Sequence, residues 1–564
     1  MYLRESRQKR SDGSYLVHLQ LAENRWDPQR KRSRVHIVHS CGRADDPQVA
    51  ERLRRLARSI LRRCSPDEIV AQDPSWRLVD AWSYGPLYVL EHLWRRLGIG
   101  QVIEEKLGER RFEFPVERAL FAMIANRLCA PSSKLYCYER WLAEDVRIEG
   151  TQGLELHQLY RAMDFLEATK EAVEEALYFR IADLLNLDVE LIFYDTTSLH
   201  FEVEHNDVGV GEQDLVHGSI PAGAKRYPAP RKRGHSKNGR TDAPQIVVGL
   251  AVTRDGFPVR HWVFPGNTVD VSTVERVKRD LRGWKLTRCV FVGDAGRVSR
   301  ENLRHLARAG GRYIVCAPII ARGEVAREVL TRPGRYREVA ENLRVKEVVV
   351  GEGERRRRYV VCFNPLEAQR QRRHRAEVLA ELAAELESLR HSGAGDTHTK
   401  RVCALRASAR FGRYLRMSRA DVPELDPAKI KAAERLDGKF VVTSNDDTLS
   451  GEDLALGYKQ LQRVEEAWRT LKSGLRLRPV YHWAPHRIHA HVALTVLALL
   501  LERVAESACG DTWRNIRDDL EQVKLAQLSS PNGTVWQVTE PGPAAAKRLK
   551  ALEISPPSPI LELA

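Results

Sequence analysis

The chain has 564 residues, 43% of them hydrophobic, a formal net charge of +15 and nine cysteines. That length suits roughly two to four domains with sizeable cores. The composition argues against a membrane protein, an exported protein and a disulfide scaffold. No apolar run is as long as a bilayer span, the start MYLRESRQKR lacks a signal-peptide core, and the cysteines are scattered with no CxxC pair. A soluble cytoplasmic protein is expected, with no membrane partner and a polyanion, most often nucleic acid, as its partner.

Residues 1–45 alternate apolar and polar side chains (SYLVHLQLAE, RVHIVHS) and read as a small β-rich unit. Residues 46–186 read as helix after helix and are the candidate DNA-binding domain, although no helix-turn-helix signature stands out. The texture changes at VELIFYDTTSLHFEVE, a strong strand, followed by a loop rich in Gly, Pro and charge over roughly 205–243. QIVVGLAVTRDGFPVRHWVF reads as a hairpin turning at Asp255-Gly256. Then come a helix (STVERVKRDLRGW), a buried strand (RCVFVGDAG), a helix capped by Ser299 and another strand (RYIVCAPII). The order β-β-β-α-β-α-β over 187–330 is that of an RNase H-like α/β core. Residues 331–445 interrupt it as an α+β insertion, 446–510 complete it, and 511–564 form a C-terminal tail.

The segment before Gly474 reads as one helix. At about 100° per residue, Tyr458, Glu465 and Lys472 stack within roughly 20° of one another. Leu461, Val464, Trp468, Leu471 and Leu475 form an apolar stripe to one side. Glu466 falls opposite that stripe and is expected to face solvent, whereas Glu465 sits at the margin between core and water. Both glutamates as plain helix-surface charges is the competing reading.

Three carboxylates stand out: Asp195 within the first core strand, Asp294 at the end of CVFVGD, and Glu465 on the last core helix. In an RNase H-like fold these places converge at one end of the sheet. Three carboxylates that close repel one another unless cations sit between them, and two hard divalent ions suit phosphodiester chemistry. The basic runs QRKRSR (29–34), RKRGHSKNGR (231–240), RRRR (355–358) and RQRRHR (370–375) fit contacts to a long duplex, although such runs are usually solvated loops. Glu202, Glu204, Asp242 and Asp270 read as surface or turn carboxylates. His482, His486, His489 and His491 read as core or phosphate-facing side chains rather than metal ligands.

This pattern resembles the DDE transposases of bacterial insertion sequences. It is most similar to the subgroup with the signature Y-x2-R-x3-E-x6-K and a β-rich insertion before the Glu. Tyr458, Glu465 and Lys472 fall in register; Leu461 occupies the Arg position, and Arg469, one turn beyond Glu465, is the candidate substitute. The stretches YDTTSLHFE, GHSKNGRTDAPQIVVGLAV, PGNTVD, GDAGRVSRENL and LKSGLRLRPVYHW also look like this family, and the resemblance covers about residues 1–505. It implies metal-dependent cleavage of insertion-sequence ends and strand transfer into target DNA, with Asp195, Asp294 and Glu465 as catalytic residues and metal ligands. It implies two Mg2+ ions, with Mn2+ as a substitute. Tyr458, Arg469, Lys472, His235 and Lys237 are the implied DNA contacts. The implied partners are terminal inverted repeats, target DNA and a second copy of the chain, in a homodimer or higher assembly at the nucleoid. An inactive or domesticated DNA-binding descendant and a paired-carboxylate glycosidase are the alternatives. Some such enzymes form a hairpin at the cleaved end, helped by a flipped base on an insertion Trp. Residues 331–445 contain no Trp, which leaves Trp262 or an insertion aromatic (Tyr336, Tyr359, Phe363, Phe411, Tyr414, Phe440) as the candidate platform.

Overall fold

β-Branched and aromatic runs gather into one mixed sheet in a computed structural model of the chain. The structure describes residues 1–564 except 12–13, 29–30, 62–75, 109, 186–190, 208–229, 237–238, 285, 287–288, 295–298, 321–322, 354–355, 392–394, 419–421, 531–532 and 564. The chain divides into two units. The smaller takes residues 1–81, 525–538 and 558–564. It holds the antiparallel sheet of β1 (Tyr2–Lys9), β2 (Tyr15–Asp27) and β3 (Arg32–Arg43), and helix α1 (Pro47–Leu61). A second sheet has the order β18-β17-β16-β4, from β4 (Arg77–Ser83), β16 (Lys524–Ser530), β17 (Gly533–Val538) and β18 (Ile560–Leu563). Strands from 511–564, expected as a tail, therefore belong to the unit that contains the N-terminus.

The larger unit takes residues 82–524 and 539–557. Its helices α2 (Gly85–Arg96), α3 (Ile99–Leu107), α4 (Val116–Cys129) and α5 (Leu156–Leu184) come from the region expected as a separate helical domain. They share a core with the rest of this unit, since a long apolar helix at Pro485–Cys509 packs against both α4 and α5. A helix apolar on nearly every side must be enclosed, and this one buries Ile488 through Glu502 without a break.

The sheet of this unit has nine strands in the order β10-β11-β12-β15-β9-β8-β5-β6-β7. Its first part in chain order runs β5 (Leu191–His200), β6 (Gln245–Val252), β7 (Pro258–Pro265), helix α6 (Asp270–Gly283), β8 (Val290–Gly293), helix α7 (Arg300–Ala307) and β9 (Arg312–Cys316). β5, β8 and β9 are parallel, and β6 and β7 turn back antiparallel through a tip where Gly256 takes φ of 85°. Ser299 Oγ accepts from the Asn302 N–H at 3.0 Å, the expected cap of α7.

Residues 331–445 differ from the expected interruption. Their strands β10 (Arg337–Ala340), β11 (Leu343–Val350), β12 (Arg357–Phe363) and β15 (Lys439–Ser444) extend the same sheet, with β15 paired to β9. Helices α8 (Pro365–His391), α9 (Asp396–Ala407) and α10 (Pro427–Glu434), with the short pair β13 (Leu415–Met417) and β14 (Pro423–Leu425), lie outside it. They have their own core around Val378, Leu382, Leu386 and Tyr414. Arg375 meets Asp437 at 2.6 Å beside that core.

The helix carrying Glu465 is broken where one continuous helix was expected. α11 (Gly451–Lys459) ends, and α12 (Gln462–Arg469) restarts after a tight turn in which Arg463 and Val464 donate to the carbonyls three residues back. A π-helical turn, Thr470–Gly474, comes next. The apolar stripe survives the break: Leu461, Val464, Trp468, Leu471 and Leu475 are all buried. α11 begins with a reciprocal cap, Ser450 Oγ accepting from the Asp453 N–H and Asp453 accepting from the Ser450 N–H, each at 3.1 Å. Replacing Ser450 with Ala should therefore cost about 1 kcal/mol of stability, read from urea unfolding.

Candidate active site

The site begins with a register. β5 and β8 pair in parallel with Ile192 opposite Phe291 and Phe193 opposite Val292. Asp195 and Asp294 each lie two residues beyond the last pair. Parallel neighbours share a face, so the two carboxylates stand level on adjacent strands about 4.8 Å apart. Asp195 is half-buried because β5 continues past it beside β6; Asp294 is exposed because β8 has ended. Tyr194, of opposite parity to Asp195, faces the other way into the core with Phe291 and Trp262.

The third carboxylate comes from the helix side. α12 packs on β5 and β6, and α11 on β8 and β9. Burial, then the charges of Asp195 and Asp294, push the Glu465 carboxyl above its ordinary pKa, while Arg469 opposes the shift. Those couplings place Asp195, Asp294, Glu465 and Arg469 in one electrostatic neighbourhood. The Tyr458 hydroxyl donates to Asp294 Oδ1 at 3.1 Å. Burial and the adjacent Cys316 and Asp294 raise the Tyr458 phenol, so it stays a neutral donor. Its ring lies 5.5 Å from that of Phe440 on β15. The proximity of Cys316 and Phe440 to Tyr458 was not legible in the sequence, because nothing local reveals that β15 pairs with β9. Lys472, half-buried, lies in the π-helical turn.

Glu466 departs from expectation. It is the less exposed of the two glutamates and accepts from Gln462 at 3.1 Å and from Arg463 at 3.2 Å. The break at residues 460–461 shifts the helix phase and leaves Glu465 facing the open side of the site. Leu461, in the signature's Arg position, is 7% exposed and part of the core.

Much of the basic sequence is engaged within the protein. Arg356 pairs with Asp447 (2.8 Å), Arg357 with Glu324 (2.9 Å) and Arg358 with Glu347 (2.7 Å). Arg231 pairs with Asp207 (2.7 Å), and Arg240 with Asp242 (2.9 Å) and Glu202 (3.2 Å). Arginines of these two runs are therefore partly engaged in the scaffold. His235 is exposed and Lys237 lies outside the described residues. The loop bearing His235 is pinned where the Gln245 amide donates to the His235 carbonyl at 3.0 Å and to the Gly266 carbonyl at 2.8 Å. A Cβ on Gly266 would lie 1.9 Å from the Gln245 carbonyl oxygen, which accounts for the glycine in PGNTVD.

Asp270 accepts from Thr196 at 2.6 Å at the start of α6. Of the four histidines, His486 pairs with Asp164 (3.0 Å), His489 with Glu167 (3.3 Å), and His491 Nε2 contacts the Leu477 carbonyl (3.0 Å). Trp262 is 3% exposed, donates to Asp280 at 3.0 Å and cannot present a face to a base. Trp483, which the sequence reading passed over, is 72% exposed beside Arg231.

Because the folded state raises the Glu465 pKa, it binds protons more tightly there than the unfolded chain does. Stability is then fully present below the ordinary glutamate pKa and is lost as pH rises through the folded value. Without divalent metal, Glu465→Gln should melt with wild type at low pH and above it at neutral pH, by calorimetry. Tyr458→Phe removes the donor to exposed Asp294 and should cost about 1 kcal/mol in urea unfolding.

No curated protein matches the chain. Among solved structures, a piggyBac transposase synaptic complex with hairpin DNA is similar over 78% of this chain and 79% of that chain, at 10% identity and a TM-score of 0.32. Residues 201–501 match the family described as "Transposase DDE domain". That match spans more than half of the chain and includes Asp294 and Glu465 as well as the strands around them, and the chain belongs to the DDE transposases, which cleave DNA and transfer its strands.

Proposed function

We propose that Asp195, Asp294 and Glu465 are the acidic triad of this transposase and hold its divalent metal ions, Mg2+ with Mn2+ as a substitute. The observation that carries this reading is the convergence of the three carboxylates at Glu465, whose carboxyl is held protonated to higher pH by burial and then by the charges of the two aspartates. A cation among the three relieves that repulsion. The donors are carboxylate oxygens alone, which fits a hard divalent ion. Among the described residues no three His, Cys, Asp or Glu side chains already form a ligand cluster. Glu465 is the exposed helix-borne member of the three. When bound, the ions activate the attacking oxygen and stabilise the leaving one at phosphorus.

The protein's own groups divide the remaining work. Tyr458 orients Asp294 through its hydroxyl. Arg469 takes the place of the signature Arg and offsets charge at Glu465. Lys472 meets DNA phosphate as a point charge, and exposed His235, with Lys237, contacts the duplex. In the first reaction water attacks the phosphodiester at the element's end, and the bond to the 3′ oxygen breaks to leave a 3′-OH. In the second, that hydroxyl attacks a target phosphodiester and displaces its 3′ oxygen, joining the two DNAs.

Three features support the finer assignment. The directions of β5 to β9 are those of an RNase H-like core, and 331–445 lies between β9 and the Glu465 helix, with strands that continue the same sheet and helices outside it. Tyr458, Glu465 and Lys472 retain the signature spacing. These features support our reading of the chain as a member of the Tyr-Arg-Glu-Lys subgroup of bacterial insertion-sequence enzymes. It would act at the nucleoid on terminal inverted repeats and target DNA, at least as a dimer.

The test is nicking of a duplex bearing the element's terminal repeat. Asp195→Asn, Asp294→Asn and Glu465→Gln should each slow cleavage at least about a hundredfold, with end binding nearly kept, whereas Glu466→Gln stays within a few fold. Mg2+ should raise the melting temperature of wild type but not of the three variants. A wild type that binds ends without cutting at any divalent metal would mark an inactive descendant.

A further inference from the structure

The chain directly after the Glu465 helix helps to build a second polar site. Arg476–His482 closes over the end of α4 and the residues after it, leaving a cleft lined by Arg127, Ser132, Lys134, Arg476, Tyr481 and Arg517 among others. None of its lining residues is Asp or Glu. Lys134 is 3% exposed, and its Nζ has no hydrogen-bond partner among the described residues. Arg127, also 3% exposed, has an unpartnered Nε; its other nitrogens reach only neutral acceptors, the Arg476 carbonyl at 3.2 Å and His491 at 3.4 Å. A buried ammonium beside a buried guanidinium, with no carboxylate between them, is costly unless an anion completes the set. Burial and Arg127 hold the Lys134 amine well below its usual range, and burial with Lys134 and Arg127 pushes His482 down to about 3. Other buried arginines here are matched, as Arg375 is by Asp437.

We propose that this cleft is a phosphate site, distinct from the acidic triad, that holds a backbone phosphate of bound DNA between Lys134 and Arg127. The Tyr481 hydroxyl and the Arg476 cation line the same cleft and add donors, whereas the Ser132 hydroxyl already donates to Asn126 at 3.0 Å and Arg517 pairs with Asp518 at 2.9 Å. The proposal rests on the reading of the chain as a DNA-cutting transposase only for the identity of the phosphate; the donor set stands on its own. The site gives the segment LRLRPVYHW a function of its own, since Arg476–His482 forms one wall of it.

The test uses the full-length chain and inorganic phosphate as the first probe, at constant ionic strength. Phosphate should raise the melting temperature of wild type and leave Lys134→Met unmoved. Methionine keeps the volume and removes an uncompensated charge, so the variant should melt no lower than wild type without phosphate. With an element-end duplex, Lys134→Met should weaken binding about tenfold and reduce the slope of log affinity against log salt by about 1. A single methylphosphonate, walked along the end, should at one position weaken wild type but not the variant; this arm needs no altered fold. Equal phosphate response and equal DNA slope in the two proteins overturns the proposal. A phosphate response without any coupled DNA position makes the cleft a free-anion site and overturns the DNA assignment. If Lys134→Met changes nothing while wild type still cuts, this inference alone falls. If phosphate stabilises only wild type but no element end is bound, the functional reading falls instead.

Discussion

Everything at the candidate active site depends on one parallel pairing. β5 and β8 lie side by side in register, so two aspartates far apart in sequence stand level on one face. Backbone hydrogen bonds, which do not sense side-chain charge, hold them there. Two carboxylates this near repel in any medium of low dielectric. The sheet tolerates the arrangement because β8 ends one residue before Asp294 and leaves it in solvent. At the third group, Glu465, burial and then the two aspartates oppose ionisation.

Glu465 is positioned by packing rather than pairing. The stripe from Leu461 to Leu475 fixes how its helix rolls against the sheet, and the enclosed helix Pro485–Cys509 backs the helices around it. The break between α11 and α12 matters because it separates two tasks. α11 carries Tyr458 to Asp294, and α12 carries Glu465 to the pair of aspartates. One straight helix would have had to serve both from a single face. Residues 331–445 contribute too: β15 lies against β9 and brings Phe440 to the Tyr458 ring, so these strands help to define the site.

Charge serves two purposes in this chain. Arginines in the densest basic runs mostly neutralise nearby acids, and those pairs stitch strands and loops together. Net positive charge by itself therefore says little about where DNA lies. More telling are cations that burial has enclosed without an acid, as at Lys134 and Arg127, because an unmatched buried charge needs a ligand to account for it.

The sequence by itself determined the strands and helices of the core, the Asp255-Gly256 hairpin, the Ser299 cap and the apolar stripe. These are legible because they follow from local periodicity and local hydrogen bonding, as with Ser299 and Asn302. Only the tertiary structure decided the rest. Residues 82–186 join the core because α4 and α5 cover a helix more than three hundred positions later. Strands of the insertion extend the main sheet because β9 offers an open edge to β15. Trp262 is buried where an exposed platform was considered, and Glu466 is half-covered where solvent was expected. In each case the outcome depends on which distant surface meets a residue, and neither side-chain period nor propensity contains that information.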